Sequence, residues 1–199
     1  MHRVRQLTRL KSEIIKCDKC HINKLRGFGT GNIRSNIMIL AQNPGKREKD
    51  CAESHFEVIP FGLNDPSTQK YSGIYMTKLL DHLNITLNDF YITNTIKCPR
   101  EDSNAPPKHY ELVNCSEFLN KEIEIQSPKL IIGLGSSAKY VLDCFEYGKV
   151  YTDNEIQKIC IWHPGYVNRS GGAKYNDWLI QISPVTHLLP HLKFSKPSL

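Results

Sequence analysis

The stretch "FYITNTIKCPR", residues 90–100, decides the fold. From Phe90 to Ile96 it is rich in aromatic and β-branched residues and does not alternate with charged ones, as a central strand covered on both faces does. It then runs through Thr93-Asn94-Thr95 and offers Cys98 directly before Pro99. A buried strand that ends on an amide, with a thiol just beyond it, predicts a ligand at its carboxyl tip.

Three more runs have the same character: "NIMILAQ" (Asn36–Gln42), "KLIIGLG" (Lys129–Gly135) and "KICIWH" (Lys158–His163). Between and after them lie segments with apolar residues at helical spacing: "SGIYMTKLLDHLNI" (Ser72–Ile85), "HYELVNCSEFLNKEIEI" (His109–Ile125), "SSAKYVLDCF" (Ser136–Phe145) and "YNDWLIQISPVTHLL" (Tyr175–Leu189). Pro184 is expected to interrupt the last helix or end it early. Strands alternating with helices predict an α/β fold with a parallel sheet and helices on both faces. Such sheets bind ligands beyond the carboxyl ends of their strands. Those ends carry Gln42-Asn43-Pro44-Gly45, Thr93-Asn94, Gly133-Leu134-Gly135 and Trp162-His163-Pro164-Gly165. The long irregular segment from Gly45 to Ser72 reads either as a functional loop or as a surface insertion.

The chain has 199 residues, 40% hydrophobic and 23% charged, which fits one globular domain over residues 1–199 and excludes a disordered chain. Its apolar runs are too short to cross a bilayer. The opening "MHRVRQLTRLKSEIIK" mixes charge with apolar residues like an amphipathic helix and lacks a signal-peptide core. A cytoplasmic monomer with no membrane association is expected. The net charge of +6 fits a polyanionic partner but does not require one.

Of the seven cysteines, Cys17 and Cys20 stand at C-x2-C spacing. Cys98 follows the strand end and Cys115 sits on the next helix, which can fold back toward it. An odd count without a signal peptide argues against a disulfide framework. Zinc, an iron–sulfur cluster and coincidence all remain open on spacing alone. Cys144 and Cys160 lie in apolar contexts and read as core residues. Cys51 has no partner by spacing. "GFGTGN" (Gly27–Asn32) precedes a strand instead of following one, so it is a poor dinucleotide loop.

In order, C-x2-C, "LRGFGTGN", "IMILAQNPG", "PFG", "YITNTIKCP", a helix with Cys115, "PKLIIGLGSSA" and "WHPGYV" together resemble the iron–sulfur uracil-DNA glycosylases, family 4 of that superfamily. The resemblance covers roughly Cys17 to Arg169. It implies a three-layer α/β/α sandwich around a four-stranded parallel sheet. It also implies a 4Fe–4S cluster held by Cys17, Cys20, Cys98 and Cys115, and a DNA substrate containing uracil. The first motif departs from the family's Gly-Glu-Ala-Pro-Gly, and its Asn-Pro-Gly is similar to mismatch-specific and single-strand-selective branches. Other deaminated bases, such as hypoxanthine, enter the expected range on that ground.

Each expected role has a plainer alternative. The resemblance and its chemistry point to Asn94 as the reader of the flipped base; otherwise it caps a turn. Phe61 would stack on the base, with Phe56 as the alternative, or belong to the core. His163 would donate to the developing charge on the base, or be a structural strand-end histidine. Asn43 would orient the attacking water, Glu48 would assist it, and Gln42 would bind the base through backbone or side chain. Tyr166 or Val167 would wedge into the duplex, and Arg169, Lys174, Lys46, Arg47 and Lys49 would meet phosphates. The other function classes are a catalytically weak or uracil-trapping DNA-binding protein, with His55 in a non-basic context, and a zinc or redox protein.

Overall fold

The computed structural model describes residues 2–20, 25–45, 56–57, 61, 63, 72–100 and 105–193. In chain order its elements begin with α1 (His2–Ile15), β1 (Gly27–Phe28), β2 (Thr30–Gly31), β3 (Ile37–Ala41) and β4 (Phe56–Glu57). Next come α2 (Ser72–Leu83), β5 (Tyr91–Asn94), α3 (His109–Gln126), β6 (Leu130–Leu134) and α4 (Ser136–Val141). β7 (Val150–Asp153), β8 (Ile156–Ile161), α5 (Pro164–Arg169) and α6 (Tyr175–Lys193) complete the order.

The main sheet runs β2-β5-β3-β6-β8-β7. Its four central strands are parallel to one another, as the apolar runs require. The expected four-stranded sheet is corrected to six, because an antiparallel strand closes each edge: β2 on β5, and β7 on β8. β7 and β8 are joined through Asn154 (φ 47°) and Glu155 (φ 67°), a two-residue connection with positive φ at both positions, which suits the twist of a hairpin. A separate parallel pair joins β1 to β4.

Alternate residues of the central strands enter two cores. Ile37, Ile39, Ile92, Ile132 and Ile159 pack with Met76 and Leu79 of α2 and with Trp178, Ile182 and Val185 of α6. Met38, Leu40, Tyr91, Ile131 and Cys160 pack on the opposite face with Leu119 of α3, Ala138 of α4 and Leu142. Each fully buried aliphatic side chain contributes roughly 1.5–3 kcal/mol. The layering is therefore helix, sheet, helix. On the α3 side, Leu10 and Ile14 of α1 pack against Phe118 and Phe28.

Pro184 does not break the last helix; α6 passes through both Pro184 and Pro190. Trp178, Ile182, Val185 and Leu189 keep their buried stripe in register across Pro184. The turn that loses a hydrogen bond begins at Ile180, which is 72% exposed, where water can satisfy the freed carbonyl. The fourth apolar run also ends earlier than expected, at Ile161, and places Trp162 and His163 beyond the strand. Among the described residues no helix is long and apolar enough to cross a membrane.

Candidate active site

The parallel register sets the carboxyl tips side by side. Ala41 lies opposite Asn94, and Leu134 opposite Ile161. Beyond β3, the Gln42 carbonyl accepts from Thr95 Oγ1 at 2.5 Å and from the Ile96 amide at 3.2 Å. Asn94 is 2% exposed, and its Nδ2 has no hydrogen-bond partner among the described residues. A buried donor left unmade costs about 1–3 kcal/mol, and the described residues supply no acceptor for this one.

Beneath it lies a buried polar network that sequence reasoning missed. Lys97 Nζ donates to Thr93 Oγ1 at 2.7 Å, to the Asn94 carbonyl at 2.9 Å and to Glu122 Oε2 at 2.6 Å, using all three of its protons. Tyr91 donates from its hydroxyl to Glu122 Oε1 at 2.6 Å, and Thr93 donates to Oε2 at 2.9 Å. A Cβ at Gly29 would overlap the Tyr91 hydroxyl and stand 2.6 Å from Glu122 Oε1, so a side chain there would break into the network. One signal was legible: Glu122 sits on the same helical stripe as the buried Cys115, Leu119 and Gln126, where an ionised side chain needs a partner.

On the other side of the edge, His163 caps α5. Its Nδ1 accepts from the Gly165 amide at 3.0 Å, which leaves the proton of a neutral ring on Nε2. Burial, then the Arg169 cation, lowers its pKa from 6.5 to about 4, so the ring is a neutral donor at physiological pH. Gly135 (φ 85°) passes so close that a Cβ there would lie 3.1 Å from His163 Cβ. The Phe61 ring stands 5.6 Å from the imidazole, tilted by 54°. Tyr166 is 43% exposed and meets Trp162 edge-on at 5.3 Å. Val167 is fully buried in the core beneath α5, which corrects its expected role as a wedge. Arg169 is exposed, and Lys174 lies over the Trp162 ring at 5.7 Å. Glu48, Lys46, Arg47, Lys49, Cys51 and His55 lie outside the described residues. Phe56 falls in β4, but its side chain is not among the described ones.

Four thiols gather beside β5. Burial pushes the Cys98 thiol up to about 12, and Cys115, Cys20 and Cys17 push the same way against the Arg26 cation. Burial also raises Cys115, against an N–H bond and the charge from Lys97, and again Cys20 and Cys17 add to it. Asn114 Nδ2 lies 3.3 Å from Cys20 Sγ, tying the C-x2-C turn to α3. The Glu111 carboxylate accepts from Arg100 and, at 2.6 Å, from the Lys108 amide, which anchors the chain after Pro99 to the start of α3. Among the described residues no group of three or more His, Cys, Asp or Glu is arranged around a single metal ion. One tetrahedral ion would draw thiolates to about 3.8 Å of one another. A four-iron cluster puts each thiolate on a different iron and spreads them further. An all-thiol donor set is the kind that an iron–sulfur cluster takes. Cys144 and Cys160 are buried in the second core, as expected.

The carboxyl side of the α/β sheet thus carries Asn94, whose Nδ2 has no partner among the described residues, and a neutral His163 with the Phe61 ring beside it. The model of the uracil DNA glycosylase superfamily matches residues 28–184. The chain belongs to that superfamily. It is 27% identical over 172 residues to the type-4 uracil-DNA glycosylase of Archaeoglobus fulgidus, covering 78% of this chain and 79% of the relative. The type-4 enzyme of Thermotoga maritima is 29% identical over 185 residues, covering 85% and 88%. A type-5 uracil-DNA glycosylase of Pyrobaculum aerophilum is 31% identical over 104 residues, covering 46% of this chain and 43% of the relative.

Proposed function

We propose that this chain flips uracil out of DNA and hydrolyses its N-glycosidic bond. The chain is a uracil-DNA glycosylase; the assignment of its residues to the steps is our reading. The observation that carries it is the buried Asn94 Nδ2, without a partner among the described residues, at the tip of a central strand. Uracil presents N3–H between two carbonyls. An amide nitrogen aimed at O4 and its oxygen at N3–H pair with uracil and mismatch cytosine, which reverses both groups. Phe61 supplies the stacking face beside His163.

Cleavage leaves negative charge on the base and an oxocarbenium-like sugar. His163 donates from Nε2 to O2 as that charge develops, and as a neutral donor it needs no raised pKa. Asn43 orients the water that attacks C1′, with Glu48 as the acidic residue nearest in sequence. Tyr166, exposed at the start of α5, is the residue that fills the gap in the duplex, with Arg169 and Lys174 toward phosphates. Cys17, Cys20, Cys98 and Cys115 would hold a 4Fe–4S cluster. When bound, the cluster supplies a cross-link between the turn after α1, the end of the β5 segment and α3.

The substrate class includes other deaminated bases, because the segment just beyond β3 carries Gln42-Asn43 where the family that the sequence resembles has Glu-Ala. A panel of oligonucleotides with uracil, hypoxanthine, xanthine and mispaired thymine, assayed for released base, tests the reading. Multiple turnovers on uracil and none on cytosine are expected. Failure to release any base, or a base-dependent adduct that survives denaturation, would sink it.

A further inference from the structure

The side chains just beyond β3 form a directed chain of hydrogen bonds. Gln42 Nε2 donates to the Ala105 carbonyl at 3.3 Å and to Asn43 Oδ1 at 3.0 Å. Gln42 Oε1 accepts from Ser137 Oγ at 3.3 Å, and Asn43 Nδ2 donates to the Pro44 carbonyl at 2.8 Å. An amide group can be turned over, because its oxygen and nitrogen have nearly the same shape. Here both ends of the chain are backbone carbonyls, which only accept. The Gln42 atom beside Ala105 is therefore the nitrogen. That nitrogen faces Asn43 as a donor, so the Asn43 atom it meets is the oxygen. The Pro44 carbonyl imposes the same choice from the other end.

The support under this chain is rigid. The Gln42 carbonyl is doubly held by Thr95 and Ile96, and Ser137 is 5% exposed at the start of α4. Asn43 is thus held in one orientation, with one lone pair of Oδ1 taken by Gln42 and the other taken by none of the described residues.

We infer that Gln42 and Ser137 are positioning residues for Asn43, and that the Gln42 side chain does not read the base. The inference rests on the proposed role of Asn43 in orienting water. A water that attacks C1′ directs a lone pair at the sugar and gives a hydrogen bond to an acceptor. The remaining lone pair of Asn43 Oδ1 is that acceptor. An amide free to turn over would offer a donor instead and point the water's lone pair back at the protein. Gln42 excludes that state by donating. A carboxylate at position 42 can donate to neither Ala105 nor Asn43, and it would repel Asn43 Oδ1.

The test is single-turnover excision from a uracil-containing duplex by the full chain with its cluster in place. Gln42→Glu is expected to slow excision at saturating DNA by about ten- to a hundredfold, the scale of a small misplacement near the reacting atoms. DNA affinity and inhibition by free uracil stay unchanged. Ser137→Ala loses less, and Ser137→Thr, which keeps the hydroxyl, restores the rate. In an Asn43→Ala background, Gln42→Glu has no further effect. Gln42→Met, which carries no charge, must behave like Gln42→Glu; thermal melting and the visible absorption of the cluster show that each variant is folded. Equal slowing by Gln42→Glu with and without Asn43 would overturn the inference, as would weaker inhibition by free uracil. If Asn43→Ala alone leaves the rate unchanged, the reading of Asn43 falls and takes the inference with it. If Asn43→Ala is slow but the two effects multiply, the inference alone falls.

Discussion

Lys97 turns back on its own strand, and its Nζ donates to the carbonyl oxygen of Asn94 at 2.9 Å. The same ammonium is paired with Glu122 at 2.6 Å, and the two side chains are 1% and 3% exposed. The residue proposed to read the base is therefore mounted on a buried ion pair. Removing one partner leaves a charge in the core, a loss of about 3–5 kcal/mol. Lys97→Met should show it in urea or guanidinium unfolding, and Lys97→Met with Glu122→Leu should recover much of it. A single variant as stable as the parent would mean that the pair does not hold the strand tip.

Asn94 behaves in the opposite way. Its Nδ2 is unpaired among the described residues, so Asn94→Ala removes a buried orphan donor along with some packing. Stability should change by less than about 1 kcal/mol, because the two effects oppose each other. Excision of uracil should fall by at least about a hundredfold, the scale of a lost donor at a preorganised site. A variant that keeps its rate would remove Asn94 from base recognition.

His163 sets a pH limit. Its pKa lies at about 4 in the folded chain against 6.5 for an unperturbed histidine. Its neutral ring is intact above both values, so the single-turnover rate should be flat from about pH 6 to 8 as far as this group is concerned. Below its unperturbed pKa the unfolded chain takes up a proton that the folded chain refuses. This group's unfavourable effect on stability therefore grows as pH falls from 6.5 toward 4 and levels off below that. A rate that drops with an apparent pKa near 6.5 and a similar drop lost in His163→Asn would show that the ring is not desolvated as described.

The four thiols make a distinct claim about iron. Cys115→Ser should lose the visible absorption of a cluster and weaken the attachment of α1, whose Leu10 and Ile14 pack on α3 and Phe28. Faster proteolysis within the first residues of the chain is the readout. Cys144→Ser should keep the iron and lose only core packing, since it sits in the second core. Equal iron in both variants would break the assignment.

The centre of the fold was legible because each central strand is covered on both faces and therefore reads as continuous apolar sequence. The edges were not: β2 has two residues, and β7 is only partly covered, so neither carries a burial pattern strong enough to read. Pro184 misled because a proline's cost depends on whether the freed carbonyl meets water, which only the packed helix decides. In the site, Asn94 and His163 stood out because they lie at strand ends within segments that resemble the family's motifs. Lys97 did not, since alone it reads as solvated, and although the helical stripe marks Glu122 as needing a partner, only the fold brings the two to 2.6 Å. Ser137 was hidden for the same reason, 95 residues away in sequence from the Gln42 it meets.

The contrast between Tyr166 and Val167 has its own consequence. One is 43% exposed and the other wholly enclosed, though they are adjacent on α5. With Tyr166 as the proposed wedge, change at 166 is expected to alter how the protein enters a duplex and to leave folding almost untouched, whereas change at 167 is expected to be felt by the whole domain. On that proposal, the freedom of α5 to adapt to different DNA is about one side chain wide, and substitutions that retune it are expected to gather at 166 and spare its neighbour.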